Sequence, residues 1–228
     1  MPATLRQSAL TRYAFSWLYL GAVCAAEIAY VLLPQKDRAA VLGWTSTSVH
    51  NLRHHPVTAL VASAFFTSSH LLAWPVVIAL AVFGANHALG NWRTALTCAA
   101  AQVVGTLVSE GIVAYRVSHG YLPAADRYLI DVGMSYVVVS AIAVALLYGR
   151  WLARAAAAVD LLLLIFIGQI FAGLGELQVS AVGHLTAMLT GAVLGSFLMW
   201  QRRRRKAHAL FDYASVSSLR KPRRRLLS

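Results

Sequence analysis

The chain has 228 residues, 59% hydrophobic and only 12% charged, about half the charged share of an ordinary soluble domain. That balance excludes a protein whose main solvent is water. The net charge of +12 points less to nucleic acid than it first suggests: half of the 20 Lys and Arg residues fall in the last 27 positions, so the charge belongs to a tail.

Apolar blocks long enough to cross a hydrocarbon core of roughly 30 Å as helix recur along the chain. In order they cover residues 14–33, 69–88, 94–114, 133–149, 152–171 and 181–200. The first carries Glu27 and runs to Pro34 without a small-residue cleavage site, which makes it a retained helix rather than a signal peptide. Continuous rather than alternating apolar runs exclude strands, since backbone groups in lipid must be satisfied within the segment. The expected fold is all-α, a polytopic six-helix membrane bundle over 14–200, with residues 1–13 ahead of it and a basic, disordered tail over 201–228.

Arg202, Arg203, Arg204, Arg205 and Lys206 follow the sixth block directly, which places that end in the cytoplasm. With six spans, fifteen Lys and Arg then lie on the cytoplasmic side and five outside, with both termini cytoplasmic. Between the first two blocks, residues 34–68 alternate apolar pairs with Trp44, His50, Arg53, His54 and His55, the pattern of a structured, partly interfacial external loop. In the tail, Lys221, Arg223, Arg224 and Arg225 beside Leu226 and Leu227 are a polybasic pattern that attracts anionic lipid headgroups.

Cys24 and Cys98 lie in apolar blocks and give neither a disulfide framework nor metal-ligand spacing. His50, His54 and His55 read as polar groups at a headgroup interface, so no metal and no cofactor is expected. Without an internal repeat, paired broken helices or a ring of pore charges, a transporter or channel is disfavoured.

Ionisable groups inside spans are costly and usually face the bundle interior. Glu27, Glu110 and Asp160 fit interfacial, protonated or hydroxyl-paired carboxyls, and their roles stay open. His184 shares a helical face with Ala187, Gly191 and Gly195, a small-residue stripe that lets another helix pack closely. The start of the fourth span, Asp131-Val132-Gly133-Met134-Ser135-Tyr136, suits that face. A serine hydroxyl within reach of an imidazole is the minimum for acyl-transfer chemistry, although such pairs also serve as plain interhelical hydrogen bonds.

The order of several segments narrows the choice: His55-Pro56-Val57-Thr58-Ala59-Leu60-Val61-Ala62-Ser63-Ala64-Phe65-Phe66, then Ser69-His70-Leu71-Leu72, Gly133-Met134-Ser135, and Gly183-His184 with Gly191 and Gly195. Over roughly residues 50–200 the chain resembles the rhomboid family. The resemblance implies a six-helix intramembrane serine protease in which Ser135 is the nucleophile, His184 the base and then acid, and His70 a neighbour of the developing oxyanion. It implies transmembrane protein substrates and a location in the plasma membrane of a bacterium. Two positions depart from the family pattern. Tyr136 follows Ser135 where the family has glycine, and so either parts the fourth and sixth helices or points aside. Trp74 stands where the family carries an oxyanion-stabilising asparagine, a donor whose loss costs about 2.7–4 kcal/mol of barrier. The alternative to a protease is a catalytically inactive relative that binds transmembrane segments of client proteins.

Overall fold

The computed structural model describes residues 8–67 and 73–219, with side chains through Arg205. Every regular element among them is helical: α1 (Ala9–Arg12), α2 (Ala14–Leu32), α3 (Gln35–Thr45), α4 (Val49–His54), α5 (Pro56–Ser63), α6 (Trp74–Leu89), α7 (Asn91–Ser118), α8 (Met134–Tyr148), α9 (Trp151–Phe166) and α10 (Val179–Leu219). Short 3₁₀ turns lie at Ala124–Tyr128 and Leu174–Glu176. Among the described residues three stretches are long and apolar enough to cross a membrane, α2, α7 and Val179–Arg205 of α10; α6 and α8 are apolar but shorter.

α8 is the centre of the bundle. It packs against α6, α7, α9 and α10, and every residue from Tyr136 to Ala145 is buried. A helix that is apolar all round belongs inside a protein or a membrane, and this one is sheathed by other helices. Its 15 residues make about 22 Å of helix against about 42 Å for the 28 residues of α7. The stripe expected on the last span seats α10 on this core. A Cβ at Gly191 would lie 2.6 Å from the carbonyl oxygen of Ser140 and 2.7 Å from its Cα, and one at Gly195 would lie 2.8 Å from Cγ2 of Val144. Ala187, one turn before Gly191, is fully buried.

Several helix limits differ from the apolar blocks, each for a local reason. Residues 68–72, which include the start of the second block, lie outside the described residues, and α6 begins at Trp74. Pro75 explains that start, because proline fits the first turn of a helix but not its interior. α7 overruns its block at both ends, bounded by Gly90 (φ +86°) and Gly120 (φ +75°), whose left-handed backbone stops a helix. α9 stops at Phe166, ahead of Gly168 and of Gln169 with φ +49°. α10 runs on past the sixth block to Leu219. Arginine, alanine and leucine are good helix formers, and no proline intervenes before Pro222.

The segment between α2 and α6 is structured, as its composition implied: α3, α4 and α5 fold over the end of the bundle that carries Ser135. The Asn51 amide ties them together by donating to the carbonyls of Gly43 at 2.7 Å and Ser46 at 2.8 Å. The opposite end is basic, with Arg12, Arg93, Arg150, Arg154 and Arg202 at the helix termini there. Arg202 donates to the Ala88 carbonyl at 2.7 Å and so caps α6. Asn86 bridges Ser16 (2.9 Å) and Asn91 (2.8 Å), fixing α2 to the α6–α7 turn.

Gly191→Val forces α10 away from α8 and destabilises the fold by about 1–3 kcal/mol. Valine at the lipid-exposed Leu189, on the other side of α10, leaves stability nearly unchanged. Thermal unfolding of the purified variants in detergent checks both.

Candidate active site

Gly133 precedes α8 as an uncapped N-terminal residue. A side chain there would collide with that of Gln102 on α7, whose amide donates to Ser63 Oγ of α5 at 3.0 Å. Gly133 thus lets Gln102 pass in front of the α8 terminus. Ser135 is the second residue of α8, where a backbone N–H has no intrahelical acceptor. That N–H and the positive end of the helix dipole favour an anion beside Ser135.

The close seam between α8 and α10 brings His184 to the serine, with Nε2 2.7 Å from Ser135 Oγ. On the other side of the ring, Nδ1 is 2.9 Å from the carbonyl oxygen of Ile170. A carbonyl can only accept, so Nδ1 carries the proton and Nε2 is the free base that accepts from the serine hydroxyl. The loop after α9 therefore fixes the tautomer that acyl transfer needs, a task that an aspartate performs in serine triads. His184 is buried and Ser135 half-buried.

Tyr136 does not come between them. It is fully buried in a slot bounded by glycines of α7 and α10. A Cβ at Gly183 would collide with the phenol, and one at Gly105 would lie 3.3 Å from Cδ2 of the ring. The room for the ring comes from glycine on the facing helices. The Tyr136 ring meets the His184 ring edge to face, centroids 5.3 Å apart and planes at 82°.

The Tyr136 hydroxyl donates to Asp131 Oδ2 at 2.8 Å. Thr47 reaches the same residue, its N–H donating to the Asp131 carbonyl at 2.8 Å and its hydroxyl to Oδ2 at 3.3 Å, while Asp131 N–H donates to Ser46 Oγ at 2.8 Å. The covering segment before α4 is thus latched to the tyrosine that flanks the imidazole. Burial pushes the Asp131 carboxyl above the ordinary aspartate range, with the bonds from Tyr136 and Thr47 opposing that rise.

Ser135 and His184 thus lie in contact with Gly133 just ahead of α8, while Gly191 and Gly195 meet Ser140 and Val144 farther along the seam. His70 lies outside the described residues, and Trp74 opens α6 with its ring against the main core. Glu27 Oε1 accepts from the Thr67 N–H at 2.9 Å. Neither oxygen of buried Glu110 meets a donor in hydrogen-bond geometry among the described residues, and the same holds for one oxygen of Asp160. His54 Nδ1 lies 2.8 Å from the His50 carbonyl and the two rings lie 4.2 Å apart. Asp131, Gly105, Gln102 and the Ile170 carbonyl escaped sequence reasoning. Only Asp131 left a trace, as a carboxylate beside the serine motif.

These elements define a polytopic helical membrane protein in which a serine at the start of the central helix meets a buried histidine of α10. A family model of rhomboid-like proteins matches residues 9–204, and the chain belongs to that family. No curated protein and no solved structure matches it.

Gly183→Ala lowers stability by about 1–3 kcal/mol because its methyl group meets the Tyr136 phenol. Adding Tyr136→Gly removes that particular clash, so the loss from Gly183→Ala in the Tyr136→Gly background falls well below its loss in the wild type; a thermal double-mutant cycle measures the coupling. Asp131 supplies a second expectation. A carboxyl raised on folding binds its proton more tightly in the native state, so its contribution is full below the unfolded value of about 3.9 and is lost as pH rises through the native value. Unfolding midpoints between about pH 4 and pH 8 therefore fall more with rising pH in the wild type than in Asp131→Asn.

Proposed function

We propose that the protein is an intramembrane serine endopeptidase that cleaves transmembrane segments of other proteins, with Ser135 as nucleophile and His184 as general base and acid. The observation that carries this reading is the 2.7 Å contact between Ser135 Oγ and a His184 nitrogen whose partner nitrogen is occupied by a backbone carbonyl. Six helices, α2 and α6–α10, would span the bilayer. The arginines at the end remote from Ser135 favour that end, and both termini, in the cytoplasm of a bacterial cell.

In this mechanism Ser135 Oγ adds to the scissile carbonyl carbon as its proton passes to His184 Nε2. The carbonyl oxygen becomes an oxyanion at the start of α8, where the Ser135 N–H is free to donate, and His70 would be a second donor. Collapse of the tetrahedral adduct breaks the C–N bond, and the Nε2 proton goes to the departing amine. Water then enters from the Ser135 end and gives a proton to Nε2 and its hydroxide to the acyl carbon; the acyl C–Oγ bond breaks, and the Nε2 proton returns to Ser135 Oγ as the acid leaves.

A second reading is supported by Trp74, at the position where the family carries an oxyanion-stabilising asparagine. On that reading the fold is kept to bind client transmembrane segments without cleaving them.

Fluorophosphonate labelling of the purified protein in detergent separates the two. A protease is labelled, loses all labelling in Ser135→Ala, and labels about two to four orders of magnitude more slowly in His184→Ala. Wild type labelled no faster than Ser135→Ala, in protein with an intact thermal transition, assigns the client-binding role.

A further inference from the structure

The end of the bundle remote from Ser135 holds a cavity of about 460 Å³ between Tyr13, just ahead of α2, and helices α6 and α9. Tyr13, His87, Arg150 and Trp151 line it, together with Leu80 and Phe83. α6 runs toward this end, so Leu80 lies seven residues and about 10 Å deeper along the helix than His87. The cavity therefore has a polar rim and an apolar depth.

The rim is positively charged. His87 Nδ1 lies 2.8 Å from the Tyr13 hydroxyl and 3.3 Å from Nη2 of Arg12. A guanidinium only donates, so Nδ1 accepts and His87 is a neutral ring that leaves the charge of Arg12 uncompensated. Arg150 stands at the start of α9, and Trp151, Leu152 and Ala153 of the first turn of that helix also line the cavity. No side chain caps this terminus, so its backbone N–H groups add to the positive potential. Among the described residues no Asp or Glu lines the cavity, and none of the lining residues belongs to α10.

We propose that this cavity is a binding site for an anionic phospholipid, whose phosphate lies between Arg12 and Arg150 and whose acyl chain follows Leu80 and Phe83. The apolar depth distinguishes a lipid from a free phosphate, which would gain nothing from it. Two guanidinium groups with no carboxylate favour a net-anionic headgroup over a zwitterionic one, whose ammonium would meet no counter-charge. Trp151, 72% exposed beside the rim, suits the headgroup level where tryptophan concentrates. The site is independent of the Ser135 chemistry and distinct from any attraction of the tail to a charged surface.

Native mass spectrometry of the full chain, with phosphatidylglycerol and phosphatidylcholine offered in equal amounts, tests the assignment. The wild type retains phosphatidylglycerol about tenfold better. That preference disappears in Arg12→Gln/Arg150→Gln. It also disappears in Ala156→Trp, which fills the cavity and leaves both charges in place, provided each variant keeps its thermal transition. It survives in Arg203→Gln/Arg204→Gln and in millimolar inorganic phosphate. Unchanged preference in Arg12→Gln/Arg150→Gln, or loss confined to Arg203→Gln/Arg204→Gln, overturns the site. Displacement by inorganic phosphate, or retention in Ala156→Trp, assigns the rim to a bare anion and overturns the lipid.

Discussion

Helices α8 and α10 approach until backbone meets backbone, because Gly191 presents no Cβ to Ser140 and Gly195 none to Val144. Between helices in lipid there is no hydrophobic drive to association, and small residues at the seam supply close packing in its place. Everything at the candidate site depends on that approach. It carries His184, two turns up from Gly191, to within a hydrogen bond of Ser135. It also completes the sheath that α6, α7 and α9 form around α8.

Tyr136 shows how one side-chain departure can be absorbed without disturbing this seam. The phenol occupies the space left by Gly183 and Gly105, and its hydroxyl reaches Asp131 rather than the dyad. A buried phenol needs a hydrogen-bond partner, and a buried carboxyl needs donors; each satisfies the other. The same bond connects the covering segment at Ser46 and Thr47 to the ring that flanks His184. The segment at Ser46 and Thr47 and the ring beside His184 are thereby joined through one aspartate.

The helical bundle was legible because lipid imposes long apolar runs, and the seam because glycine and alanine recur at a spacing of four from Gly183 to Gly195. Ser135 and His184 were legible through the order of weak motifs that mark the family. The orientation of Tyr136 was not, since it depends on a glycine on another helix 47 positions away. Nor was the Ile170 carbonyl, because a backbone acceptor has no signature in the side chains. The start of α6 could have been read: Pro75 within an apolar block marks a first turn.

The central claim is that His184 rests as a neutral ring with its proton on Nδ1, held by Ile170, and with Nε2 free to accept from Ser135. ¹⁵N NMR of the full chain labelled at histidine nitrogens in lipid nanodiscs, with the His184 signals identified by their loss in His184→Asn, reads this directly. The account predicts a protonated Nδ1 and an unprotonated Nε2 whose resonance moves in Ser135→Ala. A proton on Nε2 with a bare Nδ1, unchanged in Ser135→Ala, would contradict it.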